Sequence, residues 1–312
     1  MDNILISDKI INLSYKFKIF NTEFNSGSFS IIPYSKGYLI NLRCINYKKT
    51  NSKFLINTFN NYNYITINKF IKLDLYFNKI DENKLCIPKL LPYIIKKKNK
   101  NNKKNKKILG IEDMRMFVYN NKIKIIGSSE LNNKLYIITG EYDYLNNKLL
   151  NMNYIKPTFN YQSIEKNWVY FIHNNNLQII YKWYPLQICK LNLNKNKFIK
   201  DLNLIKEIPM CLFFKNARGS TCGVYYNNEI WFICHFNNNG SYSHFFVVFN
   251  IDMIPIRYSD VFNFNKNKVQ FCIGLYIMDD GTFLIPYSIN DVESKLGIYN
   301  ISTINNMKWN NI

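Results

Sequence analysis

Glu112 and Asp113 stand side by side, with Arg115 two residues on, directly ahead of the apolar run Met116–Gly127 (MFVYNNKIKIIG). A carboxyl group can serve as a general acid or base when burial or a neighbouring like charge shifts its proton affinity toward the working pH. Adjacent residues on a regular strand point to opposite faces. The pattern therefore predicts that one carboxyl faces a site while the other anchors the chain beside it. The same residues would serve equally as a surface turn in which Arg115 pairs with its neighbours.

A second group of candidates is cationic. Arg43, Lys182 and His235 follow hairpin-like turns by six or seven residues, where the matching positions elsewhere hold Ser128 and Ser288. Lys166, Lys215 and Arg218 lie ahead of such turns. Cations converging on one pocket suit phosphate or a sugar phosphate, although each taken singly is also an ordinary solvated edge residue. Tyr47, Trp168, Trp183, Tyr242 and Tyr287 lie near these positions. Sugar rings present C–H faces that pack on aromatic rings. Most of these aromatics read as core. Trp168, beside Lys166-Asn167, is the one favoured for a ligand.

The elements that must position these residues are hairpins. Their turns are Ser35-Lys36-Gly37, Asn120-Asn121, Asn174-Asn175-Asn176, Asn227-Asn228 and Asp280-Gly281. The last four recur at roughly 53 residues, a period typical of propeller blades or solenoid repeats. Short polar clusters precede them: Ser26-Gly27-Ser28, Glu112–Arg115, Lys166-Asn167-Trp168, Arg218–Thr221 and Gln270-Phe271-Cys272. Dense β-branched and aromatic runs separated by turn residues, with no helical run of three turns, predict an all-β fold. The long period favours a five-bladed β-propeller, one domain over residues 1–312, with the clusters gathered at one mouth of its axis.

Composition sets outer bounds. The chain has 312 residues, 47% of them hydrophobic, enough for a substantial core. Its formal charge of +20 suggests an anionic partner. Enrichment in Asn, Lys, Ile, Tyr and Phe, whose codons are AT-rich, accounts for much of that charge without one. Lys96–Lys107 (KKKNKNNKKNKK) reads as a solvated surface insertion. Its alternative is a tether to nucleic acid or an anionic membrane. Seven scattered cysteines without a CxxC pair suit a reducing compartment. No cysteine–histidine spacing suggests a metal, and no cofactor is implied. Neither a signal peptide nor a transmembrane run is visible, so a cytoplasmic location is expected.

Five motifs in order carry a resemblance. They are Phe29-Ser30-Ile31 with Gly37-Tyr38-Leu39 and Arg43–Tyr47; Gly110–Arg115 (GIEDMR); Glu165–Trp168 with Ile180-Tyr181 and Pro185; Arg218-Gly219-Ser220 with His235, Tyr242 and His244; and Phe271–Leu275 with Tyr287-Ser288 and Asp291. Over nearly the whole chain this series resembles the five-bladed β-propeller mannoside phosphorylases and β-mannosyltransferases (glycoside hydrolase family 130 and its relatives). The resemblance implies that Asp113 is the catalytic acid, that Arg43, Asn46 and Asp291 hold the sugar, and that Lys182, Lys215 or Arg218, and His235 bind phosphate. Glu112, Arg115, Lys166, Asn167, Trp168 and Tyr242 complete the expected substrate-binding set.

This chain departs from the family pattern in three places. Met114 stands where the family carries proline, Lys182 where arginine is expected, and Gln270 where some relatives carry glutamate. Lysine cannot grip phosphate in a bidentate fork. The expected activity is inverting transfer of a mannosyl-type sugar between a phosphate-bearing donor, or phosphate, and a glycan. Transferase and phosphorylase remain open, and an inverting hydrolase, a non-catalytic carbohydrate-binding or interaction propeller, and a nucleic-acid binder are the alternatives.

Overall fold

The computed structural model describes residues 3–19, 22–50, 53–56, 63–81, 85–86, 107–131, 134–159, 162, 164–192 and 199–312. The lysine-rich block 96–107 lies outside these residues, apart from Lys107, which opens the strand Lys107–Leu109. The fold is all-β. Helical structure among the described residues amounts to a 3-10 turn at Leu212–Asn216 and one short helix at Ile301–Asn305.

The strands form antiparallel meanders whose first hairpins are the ones seen in sequence. Asn120 and Asn121, Asn174 and Asn175, and Asn227 and Asn228 all have φ between 49° and 58°. Two consecutive left-handed residues make the hairpin turn whose twist matches the flanking strands, and asparagine tolerates that conformation. Strand pairing resumes at once, with Tyr119 opposite Lys122, His173 opposite Asn176 and Tyr226 opposite Glu229. At the first turn Gly37 is obligatory, because a Cβ there would lie 2.2 Å from the Leu73 carbonyl oxygen.

The first meander runs through Thr22–Pro33, Tyr38–Ile45 and Asn63–Leu73, with Lys107–Leu109 added in parallel. The second comprises Glu112–Tyr119, Lys122–Leu131, Lys134–Asp143 and Lys148–Pro157. The third comprises Val169–His173, Asn176–Trp183, Leu186–Asn192 and Ile199–Ile208. A parallel pairing between Lys148–Pro157 and Ile199–Ile208 joins these two into one eight-stranded sheet. The fourth is built on Glu229–Asn238, Ser241–Asn250 and Pro255–Ser259, with Arg218–Gly219 and Val224–Tyr226 on its inner edge. The fifth is built on Phe283–Ile289 and Glu293–Tyr299. The N-terminal strand Lys9–Asn12 pairs with Glu293–Tyr299, so the start of the chain completes the last sheet.

The apolar core lies between successive meanders. Ile32, Leu39 and Phe70 of the first pack against Ile125, Ile138 and Tyr142 of the second. Ile126 and Ile137 meet Trp168 and Ile179 of the third. Trp183 and Ile188 meet Phe232 and Phe245 of the fourth, whose opposite face sends Trp231 and Phe246 against Phe283 and Ile285 of the fifth. Leu284 and Leu296 of the fifth return to Phe29 and Ile40 of the first. Polar joints pin the inner strands. The Ser30 hydroxyl donates to the Met114 carbonyl at 3.1 Å, Gly223 N–H donates to the Tyr170 carbonyl at 2.8 Å, and the Ser294 hydroxyl donates to the Gly27 carbonyl at 2.6 Å. No helix among the described residues is long and apolar enough to cross a membrane.

Candidate active site

The inner strand of the second meander does not alternate where chemistry was expected. Glu112 pairs with Ser128 and Arg115 with Ile126, so Asp113 and Met114 together oppose only Gly127. This is a β-bulge, and Asp113 takes the left-handed conformation at φ 49°. Gly127 makes room for it: a Cβ there would lie 2.6 Å from the Ile111 side chain and 2.8 Å from the Glu112 carbonyl oxygen. The expectation that only one of the two carboxyls faces the site is corrected. With alternation suspended at the bulge, Glu112 and Asp113 line the same cavity.

Arg43 clamps both. Its Nη1 donates to Asp113 Oδ1 at 2.8 Å, and its Nη2 donates to Glu112 Oε1 at 2.9 Å and to the Tyr47 hydroxyl at 2.6 Å. Burial by itself would lower the guanidinium's proton affinity. Tyr47, Asp113, Glu112 and Asp291 outweigh that and hold it well above the usual arginine range. Lys166 approaches Glu112 Oε2 at 3.5 Å from the rim. Asp113 Oδ2 has no protein partner among the described residues and is left to meet whatever enters the cavity. The cavity holds about 330 Å³ and is completed by Tyr64, Asn167, Arg218, His235, Asn237, Tyr242, Phe271 and Asp291. It combines carboxylates from the second and fifth meanders with cations from the first, third and fourth.

The fourth meander supplies its own pair. Arg218 and His235 face each other across neighbouring strands. The Ser220 hydroxyl is 2.8 Å from His235 Nδ1. Ser220 is fully buried and its hydroxyl hydrogen has no other acceptor among the described residues. The hydroxyl therefore donates to Nδ1, and Nε2 carries the ring proton. Burial, then His244, Arg115 and Arg218, lowers the proton affinity of His235 well below the usual histidine range. His235 is therefore a neutral N–H donor, not the cation its place among the basic residues suggested. His244 is pushed down to about 3 by burial alone.

These two histidines give a pH prediction with a defined sign. Both are neutral when folded and protonate near pH 6.5 when unfolded, so the unfolded state binds more protons as pH falls. Stability should hold above the unfolded value and fall on acidification below it, by up to about 1.4 kcal/mol per pH unit for each histidine. Urea denaturation between about pH 7 and about pH 5 reads this slope, and His235→Gln with His244→Gln should flatten it.

A second cavity of about 680 Å³ adjoins the first and shares Lys166, Asn167, Arg218 and Asn237 with it. Lys182, Lys215 and Glu165 belong to this second space. Glu165 Oε1 accepts from Gln162 N–H at 3.0 Å and the Tyr181 hydroxyl at 3.1 Å, and burial raises its proton affinity.

No protein-family model matches the chain, and no curated protein matches it in sequence. Solved structures do match, over nearly its full length. The β-1,2-mannobiose phosphorylase of Listeria innocua, solved with β-1,2-mannobiose, superimposes with TM-score 0.60 at 11% identity, covering 94% of this chain and 98% of its own. Its fold is this chain's fold. A GDP-Man-dependent mannosyltransferase from Leishmania mexicana gives TM-score 0.52 at 12% identity, over 95% of this chain and 91% of its own. A mannose phosphorylase from Leishmania mexicana, solved with phosphate ion, gives 0.52 at 9% identity, over 96% and 88%. The chain thus resembles the mannoside phosphorylase and mannosyltransferase superfamily in architecture.

Against this fold, the residues singled out in sequence divide. Arg43, Glu112, Asp113, Lys166, Asn167, Arg218, His235, Tyr242 and Asp291 line the first cavity together. Five others lie off it, of which Lys182 and Lys215 line the second cavity. Asn46 is fully buried and accepts the Ile65 N–H at 2.9 Å. Arg115 crosses to the fourth meander and donates to the Ser220 and Gly219 carbonyls, so it braces the sheets. Trp168, favoured for a ligand, is 1% exposed, packs edge-on against Tyr181, and lies on the wall of the second cavity. Conversely, Tyr64 and Asn237 line the cavity without having been picked out. Neither carries a sequence signal, since both types are abundant throughout this chain.

Proposed function

We propose that the chain is a single five-bladed β-propeller that transfers a mannosyl-type sugar between a phosphate-bearing donor and a glycan acceptor, with inversion at the anomeric carbon. The blade count is supported by five meanders whose core clusters run from each to the next and return from the fifth to the first. One observation carries the chemistry. Asp113 stands in the first cavity with Oδ1 held by Arg43 and Oδ2 open, while Arg218 enters the same cavity without an ion-pair partner among the described residues. A fixed carboxyl and an unpaired cation are what proton transfer at one oxygen and charge stabilisation at another require.

In this reading Asp113 takes the proton of the acceptor hydroxyl, or in reverse gives it to the glycosidic oxygen. No covalent enzyme nucleophile is needed for inversion. Arg43 holds the carboxyl in place, and Glu112 keeps Arg43 and Lys166 together. Tyr242, Asn167 and Asp291 are the groups positioned to meet sugar hydroxyls. Arg218 and the His235 Nε2–H meet phosphate oxygens, with Lys182 and Lys215 behind them.

The test incubates purified protein with mannose 1-phosphate or GDP-mannose as donor and mannobiose as acceptor. Mass spectrometry should show a lengthened glycan, and NMR the inverted anomer. If neither donor reacts, and wild type and Asp113→Asn bind glycans equally, the protein is a carbohydrate-binding module instead. Release of free mannose without transfer would make it a hydrolase.

A further inference from the structure

A third cavity, of about 670 Å³, opens between the second and third meanders. Tyr119 lines it and ends the strand that Glu112 begins, which sets this cavity roughly 20 Å from the first. The faces of the second meander show how it arises. On one face Tyr142 stacks on Phe70 of the first meander, their ring centroids 3.5 Å apart, and that gap is filled. On the other face Ile126 and Ile137 pack against the third meander. Alternate residues of a strand share a face, so Lys124 lies on the face of Ile126, and Thr139 and Glu141 on that of Ile137. On the outer strand Ile199–Ile208, Lys200 shares its face with the core residue Leu202. Three strands thus change from apolar to polar or charged on faces turned toward a core. Thr139 and Lys200 are both 6% exposed. Charge at such positions is costly unless something pairs with it.

The other wall stays apolar, with Leu177, Ile179 and Leu191 of the third meander lining it. A second bulge adds Met152. Asn151 and Met152 together oppose Gly140, Asn151 is left-handed at φ 53°, and a Cβ on Gly140 would lie 2.3 Å from Met152 Sδ. Glu141 is the one carboxyl group lining the cavity among the described residues, and its Oε1 holds Lys124 Nζ at 2.5 Å. Lys190, exposed where it lines the cavity, has no ion-pair partner among the described residues. Lys200 already makes a contact within the chain, and an ammonium with three donors can add a ligand's acid group.

We propose that this third cavity binds an organic acid with an apolar body, its carboxylate between Lys190 and Lys200 and its hydrocarbon against Leu177, Ile179 and Leu191. The volume lies in the range of small-molecule pockets and suits a body of about eight to ten carbons. An inorganic anion would leave the apolar wall unused, and a neutral hydrocarbon would leave the cations unused. A fatty acid and an aryl acid share the required chemistry. The site stands apart from the transfer reaction proposed above.

Isothermal titration of the whole protein with octanoate and with 2-naphthoate tests this and distinguishes the two sources. Octanol, 2-naphthol and acetate are the comparisons. At least one of the two acids should bind at least about tenfold more tightly than its own alcohol and than acetate. Lys200→Met should remove most of that advantage, and Lys190→Ala should reduce it several-fold, with the alcohol unchanged in both. Leu177→Trp, which fills the apolar side, should weaken acid and alcohol alike. Lys190 is exposed and Leu177 half-buried, so these two variants carry the test if Lys200→Met fails to fold. Lys182→Ala with Lys215→Ala, in the second cavity, should leave acid binding unchanged. The proposal is overturned if neither acid outbinds its alcohol, if Lys190→Ala and Leu177→Trp bind as wild type, or if loss of Lys182 and Lys215 abolishes acid binding.

Discussion

Asp113→Asn should abolish turnover while leaving mannoside binding intact. The loss should be on the order of a hundredfold or more, the usual contribution of a positioned acid or base. The substitution is clean for a backbone reason. Asp113 sits at φ 49°, and asparagine adopts that region as readily as aspartate. The amide oxygen can still accept from Arg43, and Arg43 retains Glu112 at 2.9 Å. The one property removed is the ability to take and give a proton. Steady-state kinetics beside calorimetry with mannobiose separates the two effects. Turnover within about threefold of wild type would show that another group carries the proton.

Arg43→Met should be the most destabilising single change in the site. Arg43 is 7% exposed and stands between Glu112, Asp113 and the Tyr47 hydroxyl. Methionine matches much of its length but leaves two adjacent carboxylates facing each other without their shared cation. Removing one partner of a buried ionic network typically costs about 3–5 kcal/mol, because the remaining charge stays desolvated. Urea denaturation at neutral pH measures it. Glu112→Gln should cost less, since the amide still accepts from Arg43 and the Asp113 pair survives. A loss under about 1 kcal/mol for Arg43→Met would mean that the clamp is as solvated as a surface pair.

The hairpins were legible because their cause is local. Asn-Asn turns between β-branched runs specify their own geometry through backbone preference, and each of these turns formed where it was read. The roughly 53-residue period and the polar cluster ahead of each turn likewise follow from residues close in sequence. Glu112 and Asp113 could be singled out as chemistry because adjacent carboxylates beside an arginine are rare in so basic a chain.

What the tertiary structure decided depends on neighbours far along the chain. Strand alternation predicted opposite faces for Glu112 and Asp113, and a bulge opposite Gly127 put both into one cavity with Arg43, about seventy residues earlier in sequence. His235 counted as a cation until burial beside His244, Arg115 and Arg218 made it neutral. Trp168 was favoured for a ligand from its polar neighbours, and packing between the second and third meanders set it, almost fully buried, on the wall of the second cavity. The cations of the third and fourth meanders, read as one phosphate cluster, were distributed over two adjoining cavities, with Lys166 and Arg218 lining both. Residue type and turn chemistry are properties of short segments. Burial, charge state and the sharing of a cavity are properties of sheets brought together, and only the packed fold carries them.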